Sequence, residues 1–436
     1  MERLAAPRGT ADLIPPQSRR WQDLEARIHA LARCFGYGEI RTPMFEATEL
    51  FVRGVGETTD IVEKEMYTFL DKGDRSITLR PEWTAPVVRA ILQHNLLATG
   101  SLRLYYVGPF FRYERPQAGR YRQANQFGVE CLGFAGAEAD VEVMQLAHAL
   151  LRAYRIDATL EVNSIGDEAC RPAYRQALLA HFRPRAAELS ADSRRRLERN
   201  PLRILDSKAA EDRDAIATAP AFADVLCAPC ATHFARVRTL LDDVGLPYRV
   251  NPRLVRGFDY YTRTVFEFAS SVLGAQSAIC GGGRYDGLVH SLGGPPTPAV
   301  GFGLGIERFL MVVGALGLEA EHERSGIAAI ALGENARTHL LALVAELRRT
   351  ADVTVSFDYN DAKLATHLKR ADRVGARAAI IVGDDELAQR ALVLRDLQQR
   401  AQQTLVEGAD LPETARAILA WYAETIATPA LHEVAG

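Results

Sequence analysis

Residues 102–133 read LRLYYVGPFFRYERPQAGRYRQANQFGVECLG, two extended segments joined by a loop. Leu104–Arg112 is rich in Tyr, Val and Phe, and Gln126–Leu132 is apolar with polar residues interleaved. Between them RPQAGRYRQ carries Arg115, Arg120 and Arg122 around a turn containing Pro and Gly. Arg112 with Glu114, and Gln126 with Glu130, stand at the inner ends of the segments. A solvated hairpin tip explains a charged loop. It does not explain Arg112 and Glu130, which fall inside strand patterns. A strand-borne arginine beside an arginine-rich loop suits a polyanionic ligand, because guanidinium binds phosphate bidentately and stays charged. On these residues alone, a structural hairpin and an anion site both stay open.

The surrounding chain has 436 residues, too many for one ordinary core, so two or three domains are expected. Its 48% hydrophobic and 25% charged content is that of a globular protein. A net charge of −3 confines any nucleic-acid contact to a local patch. The opening MERLAAPRGTADLIPP has no apolar h-region and no run is long enough to span a bilayer. The six cysteines are scattered, which suits reduced thiols in a cytoplasm. Cys227-Ala-Pro-Cys230, with His233 nearby, points to zinc only if a second ligand pair exists. The sequence offers no second pair of that kind, so a helix-start packing role is expected, with no metal.

Outward from the hairpin, Pro16–Phe35 has helical periodicity with Trp21, Leu24, Ile28 and Leu31 on one face, and Tyr37–Pro43 reads as a strand closed by proline. Ser76–Thr84 passes from strand to helix, placing Glu82 and Thr84 at the junction. Thr84 there suits a helix cap, and the two residues together suit an ammonium group. Residues 167–243 turn to Arg-, Ala- and Glu-rich helical segments, an insert between two sheet-forming regions. Leu254–Phe268 reads as a strand with Arg256, Asp259, Tyr261 and Glu267 among apolar neighbours, a costly arrangement unless the charges face a ligand. Gly281-Gly282-Gly283 lets backbone pass close to a ligand, without the lysine of a Walker loop. Pro298–Leu310 is a small-residue strand feeding a helix near Glu307, where Arg308 is placed for phosphate. From residue 326 strands and helices alternate, predicting an α/β domain with a mostly parallel sheet.

Together these stretches resemble a histidyl-tRNA synthetase, a class II aminoacyl-tRNA synthetase, over nearly the whole chain. The segment ending at Pro43 resembles class II motif 1, residues 102–133 motif 2, and Gly301–Arg308 motif 3. Leu254–Tyr261 and Gly282–Leu288 resemble the two histidine-specific motifs. The resemblance implies an α+β catalytic domain over 1–322, an antiparallel sheet flanked by helices, with the helical insert at 167–243. It also implies a C-terminal α/β anticodon-binding domain over 326–426. The implied reaction is activation of L-histidine by ATP to histidyl-adenylate, then transfer to the 3′ end of tRNA-His. Its implied catalytic cations are Arg112 and Arg256 at the α-phosphate, with Glu114, Arg120 and Arg308 also binding ATP. Glu130 and Tyr261 would read the imidazole and Glu82, Thr84 and Gln126 would hold the α-ammonium group; Tyr260 and Gly282 would also bind histidine, and the Gly281–Gly283 backbone would wall the pocket. Arg115 and Gln117 would approach the tRNA acceptor end. ATP with Mg2+ as substrate complex, no prosthetic group, a cytoplasmic homodimer and no membrane complete the expectation.

Two positions depart from the family pattern. Ala124 stands where a phenylalanine commonly stacks on adenine, a change expected to weaken nucleotide binding by roughly 1–3 kcal/mol. Trp83 stands where a smaller residue is common and is expected to crowd the pocket. The competing readings are a related regulatory subunit of ATP phosphoribosyltransferase and a tRNA-binding sensor. The first usually lacks an intact Arg256 motif and an anticodon-binding domain, and the second usually rides on a longer chain with effector domains. Neither fits this sequence as well as the enzyme.

Overall fold

The computed structural model describes residues 4–56, 59, 61–114, 119, 121–207, 209–273, 278–318 and 324–427, and the chain divides into two units, Met1–Glu319 and Ala320–Gly436. In the first, α1 (Gln17–Cys34) buries Leu24, Ile28 and Ala32, a stripe at four-residue spacing. The strand expected over Tyr37–Pro43 contracts to β1 (Gly38–Glu39). Beyond it the carbonyls of Thr42 and Pro43 accept from the Arg80 guanidinium, at 2.8 and 3.2 Å, instead of a neighbouring strand. β2 (Phe45–Ala47), β3 (Tyr67–Leu70) and β4 (Ser76–Leu79) form a small antiparallel sheet, with α2 (Thr48–Val55) following β2 and α3 (Thr84–Gln93) following β4.

β5 (Leu102–Phe111) and β6 (Gln123–Leu132) make the expected hairpin, in register from Leu102 opposite Leu132 to Phe111 opposite Gln123. Arg112, expected within a strand, lies one residue past β5, where its N–H still donates to the Arg122 carbonyl at 2.9 Å. Then come α4 (Ala137–Ala153), β7 (Thr159–Ser164), and the insert helices α5 (Arg171–Phe182), α6 (Ala191–Arg199), α7 (Arg213–Ala217) and α8 (Ala228–Asp243). β8 (Tyr248–Val250), β9 (Thr262–Ala269), β10 (Ala278–Arg284), α9 (Leu288–Ser291), β11 (Ala299–Gly305) and α10 (Ile306–Ala315) complete the unit. The main sheet runs β1-β5-β6-β11-β10-β9-β7-β8. Its six central strands are antiparallel throughout, and only the edge pairs β1·β5 and β7·β8 are parallel.

The strand expected over Leu254–Phe268 begins only at Thr262. Residues 254–261 form a looped segment that packs Leu254 and Tyr261 into the apolar core of the insert with Tyr174, Leu178 and Phe222. Arg256 and Asp259 are therefore not inside a sheet, and the cost of charge in a strand does not arise there.

Side chains alternate across a sheet with period two, and here the two faces differ in kind. Phe127, Val129, Phe302, Leu304, Phe266 and Phe268 share one core with Ile28, Met144, Leu241 and Phe309 of the covering helices. The opposite face of β6, β11 and β10 carries Gln126, Gly128 and Glu130 beside Gly301, Gly303 and Gly305, then Gly281 and Gly283. A row of glycines there leaves a trough.

The second unit has β12 (Ile327–Leu332), α11 (Glu334–Thr350), β13 (Val355–Phe357), α12 (Leu364–Arg373), β14 (Ala378–Gly383), α13 (Asp384–Ala388), β15 (Ala391–Asp396), β16 (Gln402–Val406) and α14 (Leu411–Ala427). Its sheet order is β13-β12-β14-β15-β16, parallel over the first three strands and antiparallel over the last three. The expectation of a mostly parallel sheet is corrected here. α13 is only five residues long, too short a connection for a parallel crossover, and β16 returns from β15 as a hairpin.

Candidate active site

The trough opens into a cleft of about 410 Å³. It gathers the expected Glu82, Thr84, Gln126, Glu130, Tyr260 and Tyr261, and also Arg112, Glu114, Arg256 and Arg308. Arg115, Gln117 and Arg120 lie outside the described residues. Gly282 is corrected: alternation along β10 points it at the core face, where a Cβ would press on Phe266 and the backbone at Phe302. Its neighbour Gly281 lines the cleft instead.

At one end Glu130, 1% exposed, receives three hydroxyls. Thr84 Oγ1 donates at 2.8 Å and Tyr106 at 3.4 Å to one carboxylate oxygen, and Tyr285 donates to the other. Burial pushes the Glu130 carboxyl up to about 8 against those hydrogen bonds, with the Glu82 charge adding to the rise. Gly301 lies opposite Glu130 on β11 because a Cβ there would collide with the carboxylate, and Gly303 makes the same room for the Gln126 amide. Tyr261 is buried, and its phenol is raised first by burial and then by Glu130, while Arg256 opposes the rise.

Beside this pocket Glu82 does the work expected of Thr84. Its two oxygens accept the backbone N–H groups of Thr84 and Ala85, at 2.7 and 2.8 Å, capping α3 from two residues upstream. Burial raises its carboxyl, while those N–H groups and the Arg112 charge pull the other way. The Thr84 hydroxyl is thereby released to Glu130.

The cations are held from behind. Arg112 Nε donates to the Pro81 carbonyl at 2.8 Å and its Nη1 lies 3.7 Å from Glu114. Arg256 Nη1 donates to Glu267 at 3.0 Å. At the other end Glu307 accepts both the backbone and side-chain N–H of Asn125, at 2.9 and 3.0 Å, and burial raises its carboxyl. Glu267, one of the charges read in the Leu254–Phe268 pattern, lines the cleft, as do Glu307, Tyr106 and Tyr285, which were not singled out as site residues. Tyr106 and Gln126 share a face by strict alternation, and Tyr285 sits in the Gly-rich stretch after β10, so periodicity held the signal for those two.

Ala124, 7% exposed, lines the cleft as its position in β6 requires. Trp83 is stacked on Tyr106 with centroids 4.5 Å apart, and the Arg80 guanidinium carbon lies 3.3 Å from its ring centroid. Its bulk is thus largely absorbed by a cluster only 2% exposed, although one edge still reaches the cleft wall.

An antiparallel six-stranded centre, a hairpin bearing arginine, and a glycine-floored trough ending at an arginine on a helix define a class II aminoacyl-tRNA synthetase. A family model described as histidyl-tRNA synthetase matches residues 9–309, and one described as anticodon binding domain matches residues 327–417. The chain belongs to the histidyl-tRNA synthetase family. It is 50% identical over 396 residues to a histidine–tRNA ligase of Desulforudis audaxviator, covering 90% of this chain and 94% of that protein. Among solved structures, apo histidyl-tRNA synthetase of S. aureus superposes with a TM-score of 0.78 at 36% identity, covering 96% of this chain and all of the other. A Bacillus halodurans protein titled as an ATP phosphoribosyltransferase regulatory subunit/histidyl-tRNA synthetase shares the fold at TM-score 0.63 and 22% identity, covering 87% of this chain and 98% of that one.

Proposed function

We propose that the cleft activates histidine and that Glu130 with its three hydroxyl donors is the feature that selects it. The chain is a histidine–tRNA ligase: ATP and L-histidine give histidyl-adenylate and pyrophosphate, and the histidyl group then passes to tRNA-His. Neutral imidazole offers one donor and one acceptor nitrogen. Glu130 and Tyr261 supply a carboxyl and a phenol to meet both, and a pocket of buried polar groups rejects side chains that leave them unpaired. Glu82, Thr84 and Gln126 face the substrate ammonium group, with Tyr260 closing the pocket.

The histidine carboxylate attacks the α-phosphorus and pyrophosphate departs on the opposite side. Positioning and fixed positive charge carry such a step. Arg112 and Arg256 both line the cleft, each anchored from behind by Pro81 or Glu267, so neither must reorganise as charge develops. Arg308, with Glu114 and Arg120, is assigned to the nucleotide and outer phosphates, and ATP enters as its Mg2+ complex. Arg115 and Gln117 are assigned to the tRNA acceptor end, and the second unit to the anticodon.

A homodimer in the cytoplasm is the working form of this reading. Its support is the exposure of Met44, Phe45, Phe69 and Leu70 on and beside the small sheet, large apolar side chains suited to a partner. No helix among the described residues is long and apolar enough to cross a membrane. Histidine-dependent ATP–pyrophosphate exchange on the purified protein tests the assignment. Exchange with histidine and none with other amino acids is expected; a folded protein with no exchange would overturn the pocket assignment.

A further inference from the structure

We propose that Asp167, Cys170, Cys227 and Cys230 form a structural Zn2+ site that fastens the two ends of the helical insert together. The sequence holds only one Cys-x-x-Cys pair, but the fold supplies its complement. Asp167-Glu-Ala-Cys170 leads into α5 where the chain leaves the sheet, and Cys227-Ala-Pro-Cys230 begins α8 where it returns. The four ligand atoms all lie within 4.8 Å of one another. Tetrahedral ligands at about 2.3 Å from zinc stand about 3.8 Å apart, so closure asks for shifts of roughly an ångström.

Three thiols alone would pass for small apolar core residues. The carboxylate changes that reading, because apolar packing does not call for a half-buried aspartate whose oxygen lies within 4.8 Å of three sulfurs. Cys227 Sγ lies 3.8 Å from Asp167 Oδ1, and the Cys227 N–H donates to Cys170 Sγ at 3.2 Å. The Ala169 N–H donates to Asp167 at 3.1 Å, and Arg263 lies 3.9 Å from it. Backbone donors on the sulfur and a nearby guanidinium are what an anionic metal–thiolate centre requires around it. Cys170 and Cys230 are 1% and 0% exposed, whereas Asp167 and Cys227 are half-buried, leaving an approach for the ion. Gly166, at φ +59°, leaves the space beside Cys170 that a Cβ would take. Three sulfurs and one oxygen favour zinc over magnesium or calcium. His233, the imidazole closest in sequence, turns away to Asp140 at 3.4 Å.

Arg171 links the site to the cleft. Arg171, adjacent to Cys170, donates to the Asp259 carbonyl at 3.1 Å and the Tyr261 carbonyl at 2.7 Å. A fixed Cys170 therefore fixes the loop that carries Tyr261. That kinetic consequence rests on the histidine-pocket assignment; the metal site itself does not.

The test is metal content of the desalted full-length protein from zinc-supplemented cells, by elemental mass spectrometry. About one zinc per chain is expected, retained in Cys34→Ser, whose thiol is exposed elsewhere, and reduced at least tenfold in Cys170→Ser and Cys230→Ser. Cobalt exchanged into wild type should give a thiolate charge-transfer band. These two readings on the unmutated protein stand even if the cysteine variants do not fold. Folded, reduced wild type with no zinc and no cobalt band overturns the proposal, as does a disulfide among these cysteines in the freshly isolated protein. Stripping the metal should raise KM for histidine several-fold with KM for ATP unchanged. Unchanged histidine KM in stripped protein would overturn the coupling through Arg171.

Discussion

Gly281 lies directly against the guanidinium of Arg256: a Cβ built on it would overlap the Nη1, Nη2 and Cζ atoms. The glycine-rich strand and the loop bearing Arg256, the cation proposed for the α-phosphate, are therefore one device, since the guanidinium occupies the volume that the strand gives up. Gly281→Ala should displace Arg256 from Glu267 while leaving the sheet, whose backbone angles there suit alanine. Pyrophosphate exchange is expected to fall by about two orders of magnitude, in line with the loss of one preorganised transition-state contact. Arg256→Ala should abolish exchange with the fold intact. Near wild-type exchange in either variant would remove Arg256 from the chemistry.

Glu130 gives the cleft a pH dependence with a definite sign. Burial holds its folded carboxyl at about 8 against an ordinary 4.5. Between those values the folded state keeps a proton that the unfolded chain has lost, so this group's contribution is complete below 4.5 and declines as pH rises through 8. The ligand-free protein should lose melting temperature across that window, and Glu130→Gln should show a flatter profile. Glu130→Gln should also raise KM for histidine at least tenfold with little change for ATP, because it leaves the three hydroxyl donors facing an amide. Equal losses for both substrates would argue against Glu130 as the imidazole reader.

Ala124 occupies the wall where an aromatic ring would cover a base. Replacing it by phenylalanine should tighten ATP, with KM lowered by roughly 5-fold to 150-fold if base stacking is worth about 1–3 kcal/mol. Histidine KM should not move, since Glu130 lies further along β6. Failure of Ala124→Phe to change ATP binding would mean that adenine is held elsewhere.

What could be read from the sequence follows from what kind of information each feature needs. The β5–β6 hairpin, α1 and the strand–helix step at Thr84 are local patterns, and the chain shows them to within three residues. The resemblance placed the cleft residues, yet it could not assign a face: Gly281 and Gly282 are indistinguishable until the register of β10 against β9 and β11 is known. Arg256 and Asp259 looked like strand residues because their neighbours are apolar. Those neighbours are buried instead in the core of the insert, Leu254 in the same cluster as Tyr174, about 80 residues away in the chain. Asp167 as the companion of Cys227 and Cys230 is likewise a fact of spatial proximity.

Arg284 belongs to the same Gly-rich stretch as Tyr285 but serves the scaffold. It is 0% exposed, pairs with the equally buried Asp140, and donates to the Phe134 and Gly136 carbonyls, both at 3.0 Å. Burial raises the Asp140 carboxyl, but His233 and Arg284 outweigh it and hold it below the ordinary 3.8. Its stabilising contribution is therefore present above 3.8 and lost as pH falls below that value. Arg284→Ala should cost about 3–5 kcal/mol, because it strands a buried carboxylate and two carbonyls. The loss of stability on acidification that Asp140 contributes should shrink in the variant, because without Arg284 its folded carboxyl is no longer held as far below 3.8. Urea unfolding of wild type and variant across acidic pH measures both effects. Exchange activity per folded molecule should stay close to wild type, and a selective loss of activity without loss of stability would place Arg284 in the site rather than beneath it.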